Sequence, residues 1–186
     1  MVWFRKAAPA EPLAITMTGV KLGDRVLAIG LRDAALAAAL AAKTGLTGRA
    51  CAVDADAALV ARAAAAIEQE GALADVTSAP WGALPYEAGA FDLVVVRDVM
   101  ATIADDERRR LLVEIFRVLR GGGRIVVIET TPRGGIAGLL GGPKVDPSYA
   151  SRGAVRALTD TGFAAARVLA ERDGLRFIEA AKRAGV

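Results

Sequence analysis

The side chains equipped for chemistry sit at the ends of apolar runs. Gly30 closes RVLAIG, Asp54 ends GRACAVD, and Arg97 and Asp98 end and follow FDLVVVR. A carboxylate like Asp54, at the carboxyl end of a buried strand, can accept two hydrogen bonds from a vicinal diol such as that of a ribose. It can equally cap the helix that begins near Ala55, a task that suits Asp56 as well. Arg32, two residues past Gly30, offers a planar fork of donors for a carboxylate; the same side chain would block the crevice if it folded inward, or would simply point to solvent. Asp33 is placed to cap the following helix, which puts a negative charge where an anion would otherwise be drawn. Asp98 is the carboxylate best placed for general-base work, with helix capping or a loop salt bridge as its structural alternative. Trp81 offers an indole face for stacking on a flat ring, and ordinary packing explains it too. Tyr86 and Tyr149 are further candidates for lining a pocket.

The absences are also informative. The chain has no histidine and a single cysteine, Cys51. The commonest general base and metal ligand is therefore missing, which argues against a transition-metal site. Cys51 lies in an apolar run and reads as a small buried hydrophobe. Net charge is +3 with basic residues spread along the chain, a poor electrostatic footprint for nucleic acid. The densest cluster, Arg108-Arg109-Arg110, follows Asp105-Asp106-Glu107 and reads as a solvated helix face. The longest apolar run, 34–42, falls well short of the roughly 20 residues that a membrane helix needs. The opening MVWFRKAAPAEPLA lacks the apolar core and cleavage site of a signal peptide, so a cytoplasmic location is expected, with VWF a thin hint of membrane-surface contact.

Elements that would position these residues follow from periodicity. A chain of 186 residues that is 54% hydrophobic is expected to bury one core, giving a single domain over 1–186 with residues 1–22 as an N-terminal extension. Strands are expected at 25–30, 48–56, 73–78, 91–97 and 123–130, with helices from Asp33 to about Lys43, at 57–71 and at 105–120. Apolar strands alternating with helices imply a parallel sheet covered on both faces. After a glycine-rich loop over 134–143, with the makings of a lid, come a helix at 148–162 and two strands joined by Arg172-Asp173-Gly174. That hairpin would make the sheet edge antiparallel.

The segment LPYEAGAFDLVVVRDVMATIADDERRRLLVEIFRVLRGGGRIVVIE, residues 84–129, resembles the class I S-adenosylmethionine-dependent methyltransferases, particularly the ubiquinone and menaquinone branch; the likeness runs from about Gly23 to Lys182. It implies a doubly wound, Rossmann-like α/β fold with a seven-stranded, mostly parallel sheet and a C-terminal antiparallel hairpin. It also implies S-adenosylmethionine as cofactor, held around Gly30, Arg32, Asp54, Trp81 and Arg97, with Asp98 as the catalytic candidate. KTGLTGRACAVDAD places Asp54 where the family's acid grips the ribose. Several positions depart from the family: Ala28 replaces an acid of the first strand, Arg32 and Ala34 replace loop glycines, Pro80 replaces an aspartate that contacts adenine, and Gly122 replaces a proline.

The expected function is methyl transfer to a small or lipophilic acceptor rather than to protein or nucleic acid. Such transfer asks little of side chains, since the cofactor carries the activated group. Two alternatives stand beside it. The departures suit a noncatalytic binding or scaffold protein of the same fold, and the opening strand, glycine and helix suit a nicotinamide-dependent oxidoreductase, although GLRDAA supplies only the first glycine of a phosphate-cradling turn.

Overall fold

The computed structural model describes residues 12–131 and 146–185. The expected lid at 134–143 and the VWF stretch lie outside the described residues. One seven-stranded sheet runs in the order β3-β2-β1-β4-β5-β7-β6. Strands β1 (Arg25–Ile29), β2 (Arg49–Asp54), β3 (Asp75–Ser78), β4 (Phe91–Arg97) and β5 (Leu119–Thr130) pair in parallel, and β7 (Leu175–Ala181) joins β5 and β6 (Ala164–Arg172) antiparallel. This is the expected α/β sheet with its terminal hairpin. Asp173 and Gly174 both take positive φ between β6 and β7, the backbone that a two-residue hairpin turn demands.

Each face of the sheet carries its own core. Leu27, Ile29, Val94, Val96, Ile125 and Val127 pack under α4 (Asp105–Val118) and α5 (Pro147–Asp160). Val26, Ala28, Leu93, Val95, Val126 and Ile128 pack with the buried sides of α1 (Leu13–Thr18), α2 (Ala34–Thr44) and α3 (Ala57–Gln69). The alternation along each strand is the period-two pattern of a sheet buried on both sides. Among the described residues no helix is long and apolar enough to cross a membrane.

Three details differ from the sequence-based expectation. The short helix α1 falls in the segment expected as an N-terminal extension, for which no helix was expected; it sets Ile15 and Thr18 into the core, with the Thr18 hydroxyl donating to the Ile15 carbonyl. The glycine turn expected before β5 is instead part of a longer strand, with a register break between Phe91 and Leu93 opposite it. The late helix is interrupted at Gly153, whose φ of 67° and ψ of 175° are not helical.

The lower rim is tied by Asp92, at the start of β4. Its carboxylate accepts from the Arg25 backbone N–H at 2.8 Å and from the Arg25 and Arg120 guanidiniums. Burial works against its charged form, but the hydrogen bonds from Arg120 and Arg25 outweigh that and hold the carboxyl down at about 2. A depressed carboxyl stabilises the fold above its unfolded value of about 3.9 and loses that contribution as pH falls through its folded value. Urea unfolding of Asp92→Asn is expected to show lower stability at neutral pH and a smaller loss of stability between about pH 4 and pH 2 than the parent protein.

Candidate active site

The order of strands reverses between β1 and β4, since β1 leads outward to β2 and β3 while β4 leads to β5. At such a switch point the two connections leave in opposite directions and open a crevice at the carboxyl ends of the strands. A cavity of about 350 Å³ occupies it, lined among others by Gly30, Arg32, Asp54, Trp81, Arg97 and Asp98. All six site residues expected from sequence are therefore brought together.

Gly30 is dictated by the approach of β4. It has φ of +87°, and a Cβ there would lie 2.4 Å from both the Arg97 carbonyl oxygen and Val99 Cγ2. Only glycine tolerates that contact and that backbone. Its N–H donates to the Val53 carbonyl at 3.2 Å, which carries the β1–β2 ladder into the turn.

Asp54 is buried, and each carboxylate oxygen receives a backbone donor: Oδ2 from Leu31 N–H at 2.7 Å and Oδ1 from Asp56 N–H at 2.9 Å. Helix capping, the competing reading of Asp54, falls to its neighbour. Asp56 accepts from Ala58 N–H at 2.8 Å and caps α3. The Asp54 carboxylate is thus fixed in orientation, and each oxygen retains a further acceptor site. Leu31 is fully buried in the second core, while Arg32 is exposed at the cavity mouth and leaves the space open. Asp33 caps α2 through Leu36 N–H at 3.1 Å. Its carboxylate holds the position at which a dinucleotide's diphosphate would meet the helix end.

Arg97 forms one wall. Its side chain is 13% exposed, and Nε lies 3.6 Å from Asp33 and 3.3 Å from Asp98. Those carboxylates lie within ion-pairing distance but form no hydrogen bond with Arg97 Nε or Nη1, both of which are buried without a hydrogen-bond partner. Asp98, at φ of 53°, is engaged on both oxygens by Thr130: Oδ1 accepts from its N–H at 2.6 Å and Oδ2 from its hydroxyl at 2.8 Å. Trp81 is buried in the first core as well as lining the cavity. Its segment is held from α4, where Glu114 accepts from Leu84 N–H and Arg117 donates to the Leu84 and Tyr86 carbonyls. Tyr86 packs edge-on against Phe91 and does not line the cavity.

The basic cluster needs correction. Arg109 and Arg110 are exposed and pair with Asp105 and Asp106, but Arg108 is 2% exposed. It donates to the Met100 carbonyl at 2.8 Å, pairs with Asp105 and Asp146, and lies 4.7 Å from the Tyr149 ring centroid. Its position on the inner stripe, three residues before Leu111 and four before Leu112, was the available signal. Cys51 is buried as expected, and burial pushes its thiol up to about 11, which keeps it protonated and inert.

The geometry is that of a methyltransferase fold, and the chain belongs to the methyltransferase-domain family: the family model matches residues 26–123, just over half of the chain. The resemblance to class I S-adenosylmethionine-dependent methyltransferases is thereby established, and the nicotinamide oxidoreductase alternative falls. The chain is 32% identical over 135 residues to an uncharacterized protein of Mycobacterium tuberculosis, covering 72% of this chain and 47% of the relative. It is 30% identical over 118 residues to the ubiquinone/menaquinone biosynthesis C-methyltransferase UbiE of Hydrogenovibrio crunogenus, covering 62% and 46%. The chain spans about half the length of these curated relatives. A SAM-dependent methyltransferase from Aquifex aeolicus shares the fold with a TM-score of 0.74, at 18% identity over 90% of this chain and 86% of that one.

Replacing Gly30 by alanine forces β1 and β4 apart at the cavity floor. Gly30→Ala is expected to lower unfolding stability by roughly 2 kcal/mol or more in urea denaturation, from the positive φ and the backbone clash together.

Proposed function

We propose that this chain binds S-adenosylmethionine in the switch-point cavity and transfers its methyl group to a small, lipophilic molecule, acting as a single domain in the cytoplasm. The observation that carries the reading is a buried guanidinium, Arg97, with unsatisfied donors in the same cavity as the fixed carboxylate of Asp54. The two suit opposite ends of one ligand. Asp54 accepts from the ribose diol, and Arg97 donates to the carboxylate of the methionine portion, with Arg32 at the mouth as a second donor. Three carboxylates, Asp54, Asp56 and Asp98, face two guanidiniums, Arg32 and Arg97, around the cavity. That excess of negative charge complements a ligand whose sulfonium and ammonium outnumber its carboxylate, and disfavours a diphosphate. Pro80 offers adenine no side-chain hydrogen bond, and stacking of the ring on the neighbouring Trp81 would take its place.

When bound, S-adenosylmethionine supplies an electrophilic methyl on sulfur, so the chain's own residues need only bind, align and exclude water. Asp98, with both oxygens engaged by Thr130, is assigned to hold β4 against β5 and to orient Arg97; general-base catalysis is the role that a pH–rate profile of Asp98→Asn would reveal instead. The UbiE relative, whose name concerns quinone biosynthesis, supports a small lipophilic acceptor.

Calorimetric titration with S-adenosylmethionine tests the reading. The parent protein is expected to bind, and Asp54→Ala and Arg97→Leu each to bind roughly tenfold to a hundredfold more weakly, since a hydrogen bond involving a charged group contributes about 1.5–3 kcal/mol. No heat of binding at millimolar ligand would assign the chain to the noncatalytic alternative.

A further inference from the structure

Ala55, Asp56, Leu59 and Trp81 line the switch-point cavity from the segments that follow β2 and β3. Most hydrogen-bonding groups of these two segments are engaged within the fold. The Ala79 N–H donates to the Asp54 carbonyl at 3.1 Å, and the Ser78 hydroxyl to the Ala55 carbonyl at 3.4 Å. Pro80 has no N–H, and its carbonyl accepts from Ala83 N–H at 3.1 Å. Asp56 donates its N–H to Asp54, and accepts from Val60 N–H on its carbonyl and from Ala58 N–H on Oδ1. Among these four lining side chains only Asp56 can accept a hydrogen bond from an amino group, since indole is a donor alone. Asp56 is exposed, so a bond from its remaining oxygen to a ligand replaces one to water and discriminates little.

What this side offers instead is a braced ring. Trp81 is the one aromatic among the described residues that line the cavity, and it is 7% exposed. Its segment is clamped to α4 on several atoms. Glu114 Oε2 accepts from Leu84 N–H at 2.8 Å, and Arg117 donates to the Tyr86 carbonyl at 2.7 Å and to the Leu84 carbonyl at 3.1 Å. Glu114 and Arg117 are themselves paired at 2.8 Å. At Gly82, next to the tryptophan, a Cβ would come within 3.3 Å of the Arg110 stem, so α4 lies directly against this stretch. A ring held this way loses little further freedom when a ligand stacks on it, which favours binding through the ring face.

Resting on the S-adenosylmethionine reading, we propose that Trp81 makes the cavity select the cofactor's purine by its flat face and not by its hydrogen-bonding edge, so that a 6-oxopurine (inosyl) form is accepted as readily as the adenosyl form. Replacing the 6-amino group by a carbonyl inverts the edge: the donor at position 6 becomes an acceptor, and N1 changes from acceptor to donor. A site whose buried groups pair with the edge is left with unsatisfied partners by that inversion and rejects the analogue by orders of magnitude. Stacking registers no such change, because both purines present the same flat ring system. Ribose, sulfur and amino acid portions are identical in the two forms, so Asp54 and Arg97 meet the same groups in each. Trp81 is thus the residue that sets base selectivity, and Glu114 and Arg117 position it.

Calorimetric titration of the full chain with S-adenosylhomocysteine and with S-inosylhomocysteine tests the proposal. The parent protein is expected to bind the two within roughly fivefold of one another. Trp81→Leu is expected to weaken both by roughly tenfold and to leave their ratio unchanged, whereas Trp81→Phe, which keeps a ring, stays close to the parent for both. Urea unfolding of the same samples shows whether each variant is folded. A preference beyond about fivefold for either ligand in the parent, or a folded Trp81→Leu that binds both as tightly as the parent, overturns the proposal. Should Trp81→Leu fail to fold, the ratio in the parent decides. Binding of the adenosyl form with rejection of the inosyl form sinks only the base tolerance, whereas absence of binding by S-adenosylhomocysteine and S-adenosylmethionine alike sinks the cofactor reading on which it rests.

Discussion

One buried carboxylate holds both turns of the site. Asp54 accepts from Leu31 N–H in the turn after β1 and from Asp56 N–H in the turn after β2. Those turns would otherwise leave donors unsatisfied beside a cavity, at a cost of about 1–3 kcal/mol for each that is buried. Fixing them also fixes the floor of the cavity. In place of further glycines, the first turn relies on two other devices: Leu31 anchors it in the core, and Asp54 holds its backbone.

The second constraint is the contact between β1 and β4. Gly30 lets the Arg97 carbonyl come so close that no side chain fits between them. The Arg97 guanidinium lies in the wall of the crevice, near two carboxylates, with Nε and Nη1 lacking a hydrogen-bond partner. A buried cation without full hydrogen bonding is costly to keep unless something in the site completes its shell. On the proposed reading, the ligand would bring a negative group to Arg97 and a positive one to the surrounding acids.

The right half of the sheet serves the site indirectly. Arg108, Glu114 and Arg117 on α4 reach outward from the helix to hold the loop after β4 and the segment carrying Trp81. Their charges are spent on backbone groups as much as on other side chains, which is how a charged residue becomes tolerable near a core. The same brace carries Tyr149 to Glu129.

Much of this was legible in the sequence, because it depends on local pattern. Apolar runs of strand length, helices starting at Asp33 and Asp56, and the Asp-Gly turn between β6 and β7 all follow from short-range sterics and hydrogen bonding. The conjunction of Gly30, Asp54, Trp81, Arg97 and Asp98 in one crevice followed from strand order, which the family likeness supplied. What local pattern does not contain is which side of a helix or strand meets which neighbour. Arg108 looked like one arginine among three until the packing of α4 against α5 buried it, and nothing in the local pattern around Glu129 pointed to its hydrogen bond from Tyr149. The choice between Asp54 and Asp56 as helix cap was likewise open, since either type suits the position; only the folded turn, with Leu31 brought within 2.7 Å, separates them. Sequence by itself determined the elements and the fold class. Tertiary structure decided the partners, because burial and hydrogen bonding between residues far apart in the chain depend on how the layers meet.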